Sequence, residues 1–421
     1  MTSDPVGEVK AWLEENWDPE LTVRAWWERL GMAGWSAPTF PVEWFGKGLS
    51  NAENAEVQRT IQEFGALGPP GGLGLLLAGP TILAHGTDEQ KRHHVSDIVC
   101  GRVGWCQLFS EPVAGSDLAG LQTRAVRDGD EWIVNGQKVW TSSAHIADLG
   151  MLVARTNVDV PKHKGLTYFL VDMHQPGIEV RPLRELTGRA LFNEVFLTDV
   201  RVSNDAILGG LDNGWAVTNS TLMFERAGLG AGSANAADSA AVPGTVAGHL
   251  DKRAGDFVRN RGASSSFSVS ADLMIKVARR YGKAADPVVR QGIARLHSEH
   301  EIGRYMALRH KALRAAGQDL PGAGNMAKLK MSEMFRLARE VGMGLLGARG
   351  MLHDYDESEA VDDADAQDRA VTNLALWSPG PSIYGGTDQV QRNILGERVL
   401  GLPREPSDDR TLPFKELRKN A

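Results

Sequence analysis

The amino-acid sequence predicts an α+β protein: an N-terminal helical domain, a central antiparallel β-domain and a C-terminal helical bundle. Three observations carry this. Apolar residues recur at helical spacing up to about Arg102, strand-like runs cluster in the middle of the chain, and the helical period returns beyond Asn213. Strands gathered between helical regions imply separate layers rather than alternating βαβ units. The domains expected are 1–102, 103–212 and 213–421.

The N-terminal part is read as helices over 21–30, ending at Gly31, and over 51–67, after a loop at 41–48. His85-Gly86-Thr87-Asp88 reads as a helix end, a Gly cap and a newly capped helix. Trp12, Trp17, Trp26, Trp27, Trp35 and Trp44 make the region rich in indole, which core or subunit packing explains better than a cofactor stack. His93-His94 invites a metal reading, but no matching ligands stand nearby, so no metal is expected.

The central part opens with a strand-like run at 105–109, followed by Ser110-Glu111-Pro112 and Ala114-Gly115-Ser116-Asp117. Hydroxyls and a Gly-Ser pair after a strand offer backbone N–H groups to a planar, hydrogen-bonding ligand. Runs at 123–127 and 131–135 read as strands joined at Asp128-Gly129-Asp130, and Asn135-Gly136 reads as a second turn. Trp140 stands beside Thr141, Ser142 and Ser143, an aromatic plane next to a row of hydroxyls. Further strands are expected at 165–172, 178–183 and 193–202.

Beyond Asn213, a proline-free helix is expected over 215–240, with small residues at 227–241 allowing close approach of a backbone or a slim ligand. Within it Glu225 follows Leu222-Met223-Phe224 and precedes Arg226, a setting that can raise the pKa of a general base or, more plainly, form a solvated Glu–Arg pair. The segment 243–270, broken by Pro243-Gly244 and Ser264-Ser265-Ser266, reads as a long flexible loop, and the acidic run 354–368 as a solvated one. In Tyr384-Gly385-Gly386-Thr387-Asp388-Gln389, glycines free the backbone to approach a ligand and Thr387 caps the next helix.

Composition limits the function classes. A chain of 421 residues with 42% hydrophobic content can bury a large core, and a net charge of −7 argues against a nucleic-acid groove. Cys100 and Cys106 show no metal or disulfide spacing and read as two buried thiols. The most apolar run, 71–83, is interrupted by Gly74, Gly79 and Pro80, too short for a membrane span, and no signal peptide opens the chain, so a cytoplasmic protein is expected. Gly71-Gly72-Leu73-Gly74 is a poor dinucleotide fingerprint because no strand precedes it.

The order and spacing of 105–148 closely resemble the flavin-binding signature of the acyl-CoA dehydrogenase family. With Leu222-Met223-Phe224-Glu225-Arg226 and the 384–392 segment, three separated motifs in order extend the resemblance from about Trp35 to Pro403. It implies that fold, bound FAD and α,β-dehydrogenation of an acyl-CoA thioester to the trans-2-enoyl-CoA, with electrons passed to an electron-transfer flavoprotein. In many members a Glu follows the Tyr of the last motif and acts as base; here that position is Gly385. The resemblance then implies the bacterial branch whose base lies on the first helix after the β-domain, at Glu225, with the Gly385 N–H polarising the thioester carbonyl.

By the same resemblance, Gln107, Leu108, Phe109, Ser110, Gly115, Ser116, Trp140, Thr141 and Ser142 contact the flavin from the β-domain, and Arg290, Gln291, Gly347, Thr387 and Gln389 from the C-terminal helices. Ser116, Met223, Arg226 and Gly386 match acyl-CoA positions. An Arg-x-x-Phe-Gly stretch that usually holds the adenine end is missing from 243–270, and Gly344 stands where Gln is common. A homodimer, homotetramer or hetero-oligomer with a related subunit is implied. The alternatives are an oxygen-using oxidase of the same fold and a non-catalytic or half-site subunit.

Overall fold

The computed structural model describes residues 4–230, 241–259, 270–318, 320–353 and 363–417. The chain forms two compact units: Met1–Leu183 with Ala190–Ser264 and Ser407–Ala421, and Arg184–Arg189 with Ser265–Pro406.

The first unit begins with helices α1 (Pro5–Asn16), α2 (Val23–Met32), α3 (Asn51–Phe64), α4 (Gly79–His85) and α5 (Asp88–Val99). Their starts follow the capping chemistry of the sequence: Ser50 with Glu53 and Thr87 with Gln90 form reciprocal capping boxes. Trp26 and Trp27 are fully buried, and each indole N–H donates to a carbonyl, of Leu67 at 2.7 Å and Gly68 at 2.9 Å. These tryptophans are core residues, as composition suggested. Cys100 and Cys106 are both free and buried, and burial pushes the Cys100 thiol up to about 12.

Eight strands follow: β1 (Trp105–Leu108), β2 (Arg124–Asp128), β3 (Glu131–Ser142), β4 (Leu149–Arg155), β5 (Leu166–Asp172), β6 (Ile178–Leu183), β7 (Phe192–Ser203) and β8 (Ile207–Leu208). They make one sheet in the order β6-β7-β3-β2-β4-β5-β8, with β1 on β4. The sheet is largely antiparallel, as expected, with β1 parallel to β4 and one parallel bridge between β2 and β4 at Arg124 and Arg155. One expectation needs correction here. Asn135-Gly136 is not a turn, because β3 passes straight through it.

The Asn-Gly signal is used instead on a bulge. Between Val134 and Gly136 the register of β3 on β7 shifts, with Asp199 taking φ 51° as the extra residue of β7. Asn135 and Asp199 exchange two hydrogen bonds at 3.0 Å, and a Cβ on Gly136 would stand 2.3 Å from Thr123 Oγ1. Strand β4, absent from the expected elements, is a continuous buried run without polar alternation, the pattern of a strand covered on both faces.

Period-two alternation divides the sheet between two cores. Leu152, Ala154, Phe169 and Val171 face one with Trp132, Val195 and Val200; Met151, Val153, Leu166, Tyr168 and Leu170 face the other, with Leu77, Ile82, Val95 and Ile98 of the helical layer. Helix α6 (Gly214–Gly230) packs on this second side through Val217, Leu222 and Phe224. The rest of the helix expected up to Ala240 lies outside the described residues, as do the side chains of 227–230.

The expectation of a loose loop at 243–270 fails for its described part. Val23 N–H donates to Lys252 O at 2.8 Å, Arg24 N–H to Leu250 O at 2.9 Å and Gly244 N–H to Gly101 O at 3.0 Å. Ala241, Leu250 and Ala254 are buried in the core of the N-terminal helices, and α7 (Ala254–Arg259) follows. Gly244 sits at φ 99°, where an added Cβ would lie 2.5 Å from Asp148 Oδ2 and 2.6 Å from Gly104 N. Gly244→Ala should therefore destabilise this unit by about 1–3 kcal/mol, measured by urea denaturation; unchanged stability would refute the close packing. Residues 260–269, including Ser264-Ser265-Ser266, lie outside the described residues.

The second unit holds α8 (Ala271–Arg280), α9 (Pro287–Ala315), α10 (Ala323–Leu346), α11 (Asp363–Trp377) and α12 (Asp388–Ile394), around a core of Met274, Val277, Leu296, Ala338, Leu345, Val371 and Leu374. The acidic run also needs correcting where it is described: its end opens α11, and Asp368 accepts from the Tyr281 hydroxyl at 2.5 Å and pairs with Arg280. Residues 354–362 of that run lie outside the described residues.

Candidate active site

Strand β1 brings a polar group to an apolar face. Alternation sends Cys106 and Leu108 into the sheet's own core, while Trp105 and Phe109 join the core beneath the helices. Gln107, between Trp105 and Phe109, shares their face, and its Nε2 is buried without a hydrogen-bond partner. Its carboxamide stands against the Glu225 carboxyl group, whose pKa it lowers.

The neighbouring edge of β3 is fastened to the residues just after β1. Val139 N–H donates to Ser110 O at 2.9 Å, and the fully buried Lys138 Nζ donates to Phe109 O at 3.0 Å, Val153 O at 2.9 Å and Glu111 Oε1 at 2.9 Å. Glu111 also accepts from the N–H groups of Gln122 at 2.6 Å and Thr123 at 2.9 Å. Burial alone would raise Glu111, but the adjacent Lys138 ammonium and these donors hold it below the usual carboxylate range. Burial also lowers Lys138, whose three acceptors occupy its three N–H groups. Nothing in the sequence pattern marked this pair: Lys138 stands between Gln137 and Val139, an ordinary setting for a lysine in a strand.

A second bulge explains Trp140. From Lys138↔Val195 to Thr141↔Asn193, β3 carries one residue more than β7, and Trp140 takes φ 59° within that excess. A bulky aromatic at positive φ is a strained conformation kept by its surroundings. Its indole is 60% exposed, with one edge against Phe192 at 5.7 Å. Thr141, next along, is fully buried and its Oγ1 has no partner, while its carbonyl accepts from Asn193 Nδ2 at 3.0 Å. Ser142 is half-buried, pairing with Phe192, and Ser110 is half-buried too. Gly115 and Ser116 are exposed in the loop that follows the Glu111–Ala114 bridge.

Helix α6 presents Glu225 from the layer that packs on this face. Val217, Thr221 and Glu225 are four apart and share one side of the helix. Val217 and Thr221 are buried; Thr221 Oγ1 lies 3.1 Å from Thr81 Oγ1 and 3.3 Å from the Tyr168 hydroxyl. Glu225 continues that side by one turn, partly buried, and burial raises its pKa above the ordinary carboxylate value. Gln107 and Arg226 oppose part of that rise, although Gln107 Nε2 completes no hydrogen bond of normal geometry. Met223 points outward and is exposed, and Arg226 is half-buried.

In the second unit, Gly385 and Gly386 adopt φ 63° and 82°, and their carbonyls accept from the buried Gln391 Nε2 at 2.8 Å and 3.4 Å. Asn325 Nδ2 donates to Gln391 Oε1 at 2.6 Å. Thr387 caps α12, accepting from Val390 N at 3.2 Å, and Gln389 is exposed. The buried Asp388 accepts from Lys328 at 3.2 Å and Arg336 at 3.0 Å, further support for the loop that the sequence did not mark. Arg290 and Gln291 lie exposed on the first turn of α9, and Gly347, also exposed, ends α10 at φ 57°.

The candidate residues thus fall into two sets. Gln107–Ser110, Gly115, Ser116, Trp140–Ser142, Met223, Glu225 and Arg226 belong to the first unit; Arg290, Gln291, Gly347, Gly385, Gly386, Thr387 and Gln389 belong to the second.

Comparison with known proteins places this architecture. Family profiles match at 6–102 to the acyl-CoA dehydrogenase N-terminal domain, at 106–200 to its middle domain and at 263–400 to its C-terminal domain. The chain is a member of the acyl-CoA dehydrogenase family. It is 34% identical over 385 residues to the acyl-CoA dehydrogenase IpdE1 of Mycobacterium tuberculosis, covering 91% of this chain and 88% of that protein. Among solved structures, the Tcur3481-Tcur3483 steroid ACAD resembles it at a TM-score of 0.69 and 25% identity, over 95% of this chain and 97% of that one. The ChsE4-ChsE5 complex from M. tuberculosis gives 0.65 and 26%, over 95% and 97%.

This acyl-CoA dehydrogenase is accordingly an oxidoreductase acting on CH–CH bonds, and members of its family bind FAD. The residues present fit such a group. Gln107 Nε2 and Thr141 Oγ1 are buried polar atoms without partners, and the open indole of Trp140 stands next to Thr141 on a bulge that turns it outward. That is the donor set and aromatic surface a flat heteroaromatic ring requires. No described helix is long and apolar enough to cross a membrane.

Proposed function

We propose that this acyl-CoA dehydrogenase converts an acyl-CoA thioester to the trans-2-enoyl-CoA, with Glu225 as base. One Glu225 carboxylate oxygen takes the proton from the carbon beside the thioester carbonyl, while the C–H electron pair on the next carbon leaves as hydride. Bound FAD would supply the hydride acceptor, and an electron-transfer flavoprotein is the proposed onward acceptor of both electrons. The observation that carries this reading is the burial of Glu225 on the side of α6 that carries the buried Val217 and Thr221, which raises its pKa and makes it a stronger base than an exposed Glu.

The β-domain residues Gln107, Leu108, Phe109, Ser110, Gly115, Ser116, Trp140, Thr141 and Ser142 are the proposed flavin contacts of the first unit. Arg290, Gln291, Gly347, Thr387 and Gln389 are those of the second. Ser116, Met223, Arg226 and Gly386 are proposed to touch the acyl-CoA, and the Gly385 N–H to donate to the thioester oxygen, where charge grows. Assembly as a homo- or hetero-oligomer is part of the same proposal, since the similar solved structures include the ChsE4-ChsE5 complex.

The test is anaerobic titration of the purified yellow protein with straight-chain, branched and steroid side-chain thioesters. The steroid arm is included because one similar structure is a steroid ACAD. Bleaching by at least one class is expected; a flavin-loaded protein that none of them bleaches would refute the reading. Thr141→Val, which keeps the shape and removes the partnerless hydroxyl, should weaken flavin retention by about tenfold or less without lowering thermal stability. Flavin release followed by fluorescence measures this, and wild-type retention would remove Thr141 from the cofactor set.

A further inference from the structure

Residues 407–417 lie beyond the matched C-terminal region, which stops at 400, yet they belong to the compact unit that contains the β-domain. Phe414 N–H donates to Val160 O at 2.9 Å and Lys415 N–H to Val158 O at 3.1 Å, and Lys415 pairs with Asp159 at 2.7 Å. The buried Phe414 ring covers the Arg155 guanidinium, whose Cζ lies 3.5 Å from the ring centroid. Arg155, 1% exposed, donates to the carbonyls of Ala119 at 2.5 Å, Lys162 at 2.9 Å and Leu121 at 3.3 Å. The buried Lys162 ammonium reaches both carboxylate oxygens of Asp117 at 2.9 Å and pairs as well with Asp409.

Two side chains of this segment, Asp409 and Phe414, therefore complete the surroundings of two buried cations, and those cations hold the backbone and carboxylate of 117–121. That stretch begins immediately after Ser116. A buried guanidinium and ammonium need every donor matched and water kept away, so removing either tail side chain loosens the groups that fix the loop. We propose that residues 407–416 form a strap that positions the 114–121 loop and thereby sets the affinity for the acyl-CoA. Asp409 and Phe414 are its positioning residues. The proposal rests on the reading above in which Ser116 touches that ligand.

The test uses the full-length, flavin-loaded protein as wild type, Asp409→Asn, Asp409→Glu and Phe414→Leu, with hydrogen exchange of 115–121 measured beside steady-state kinetics. Asp409→Asn and Phe414→Leu should speed exchange in that loop and raise KM for the thioester by about fivefold, with kcat kept and the flavin spectrum unchanged. Asp409→Glu should restore both. Asp409 is partly exposed, so its variants keep the test available if Phe414→Leu does not fold. Unchanged loop exchange in Asp409→Asn overturns the strap whatever the kinetics, and faster exchange with an unchanged KM overturns its role in affinity. If no thioester bleaches the wild type, the proposed function fails, and the exchange result alone decides the strap.

Discussion

Glu225→Gln should cut the rate of flavin bleaching by acyl-CoA about 10²–10⁴-fold, the usual contribution of a general base, while leaving the flavin bound. The same change should raise thermal stability at neutral pH. The sign follows from the raised pKa: the folded chain holds the Glu225 proton more tightly than the unfolded chain does. Its stabilising contribution is present in full below the unfolded value and is lost as pH rises through the folded one. Ionising a carboxyl group buried on this side of α6 is a net cost, which a neutral amide of the same shape removes. In the wild type, kcat/KM should rise with pH through the folded pKa of Glu225, since only the carboxylate can accept a proton. Stopped-flow bleaching and a thermal melt of the two proteins test the whole argument, and wild-type bleaching by the glutamine variant would remove Glu225 from the chemistry.

Lys138→Met should destabilise the protein by about 3–5 kcal/mol, because it leaves the Glu111 carboxylate buried without its cation. Lys138 is fully buried and Glu111 nearly so, and together they fasten β3 to the residues after β1. Flavin retention should fall with stability, since Trp140 and Thr141 follow Lys138 directly. The double change Lys138→Met with Glu111→Gln should recover part of the loss. Because the folded Glu111 lies below its ordinary value, its contribution is present above the unfolded pKa and lost as pH falls through the folded one. Urea denaturation at neutral and acid pH should then show the wild type losing its advantage over the double variant on acidification. A single variant as stable as the wild type would show that the pair does not hold this edge.

Local signals were legible wherever one residue's chemistry is used by its immediate neighbours. The caps at Thr87 and Thr387 and the strand runs at 166–172 and 192–203 all follow from short-range pattern. The signals that misled were those with two uses. Asn-Gly marks a turn when the chain reverses and a bulge when a second strand supplies Asp199 to pair with the Asn; only the partner strand distinguishes them. Pro243-Gly244 reads as loose loop by composition, yet the Gly244 N–H donates to Gly101 O and the next N–H, of Thr245, to Asp148, both from elsewhere in the chain. Strand β4 gives no such signal because continuous apolarity carries no period, and its burial comes from having neighbours on both faces.

By itself the amino-acid order determined the family, the sequence of helical and β regions, the loss of a carboxylate at Gly385 and the presence of one at Glu225. These are matters of residue identity and spacing, which need no partner to be read. The tertiary structure alone decided that Glu225 is enclosed with a raised pKa, that Gln107 and Thr141 keep buried polar atoms without partners, and that Trp140 turns outward on a bulge. It also decided that Asp409 and Phe414 complete the surroundings of Lys162 and Arg155. Burial, hydrogen-bond satisfaction and pKa depend on what other segments bring to a residue, and those segments lie tens to hundreds of positions away in the chain.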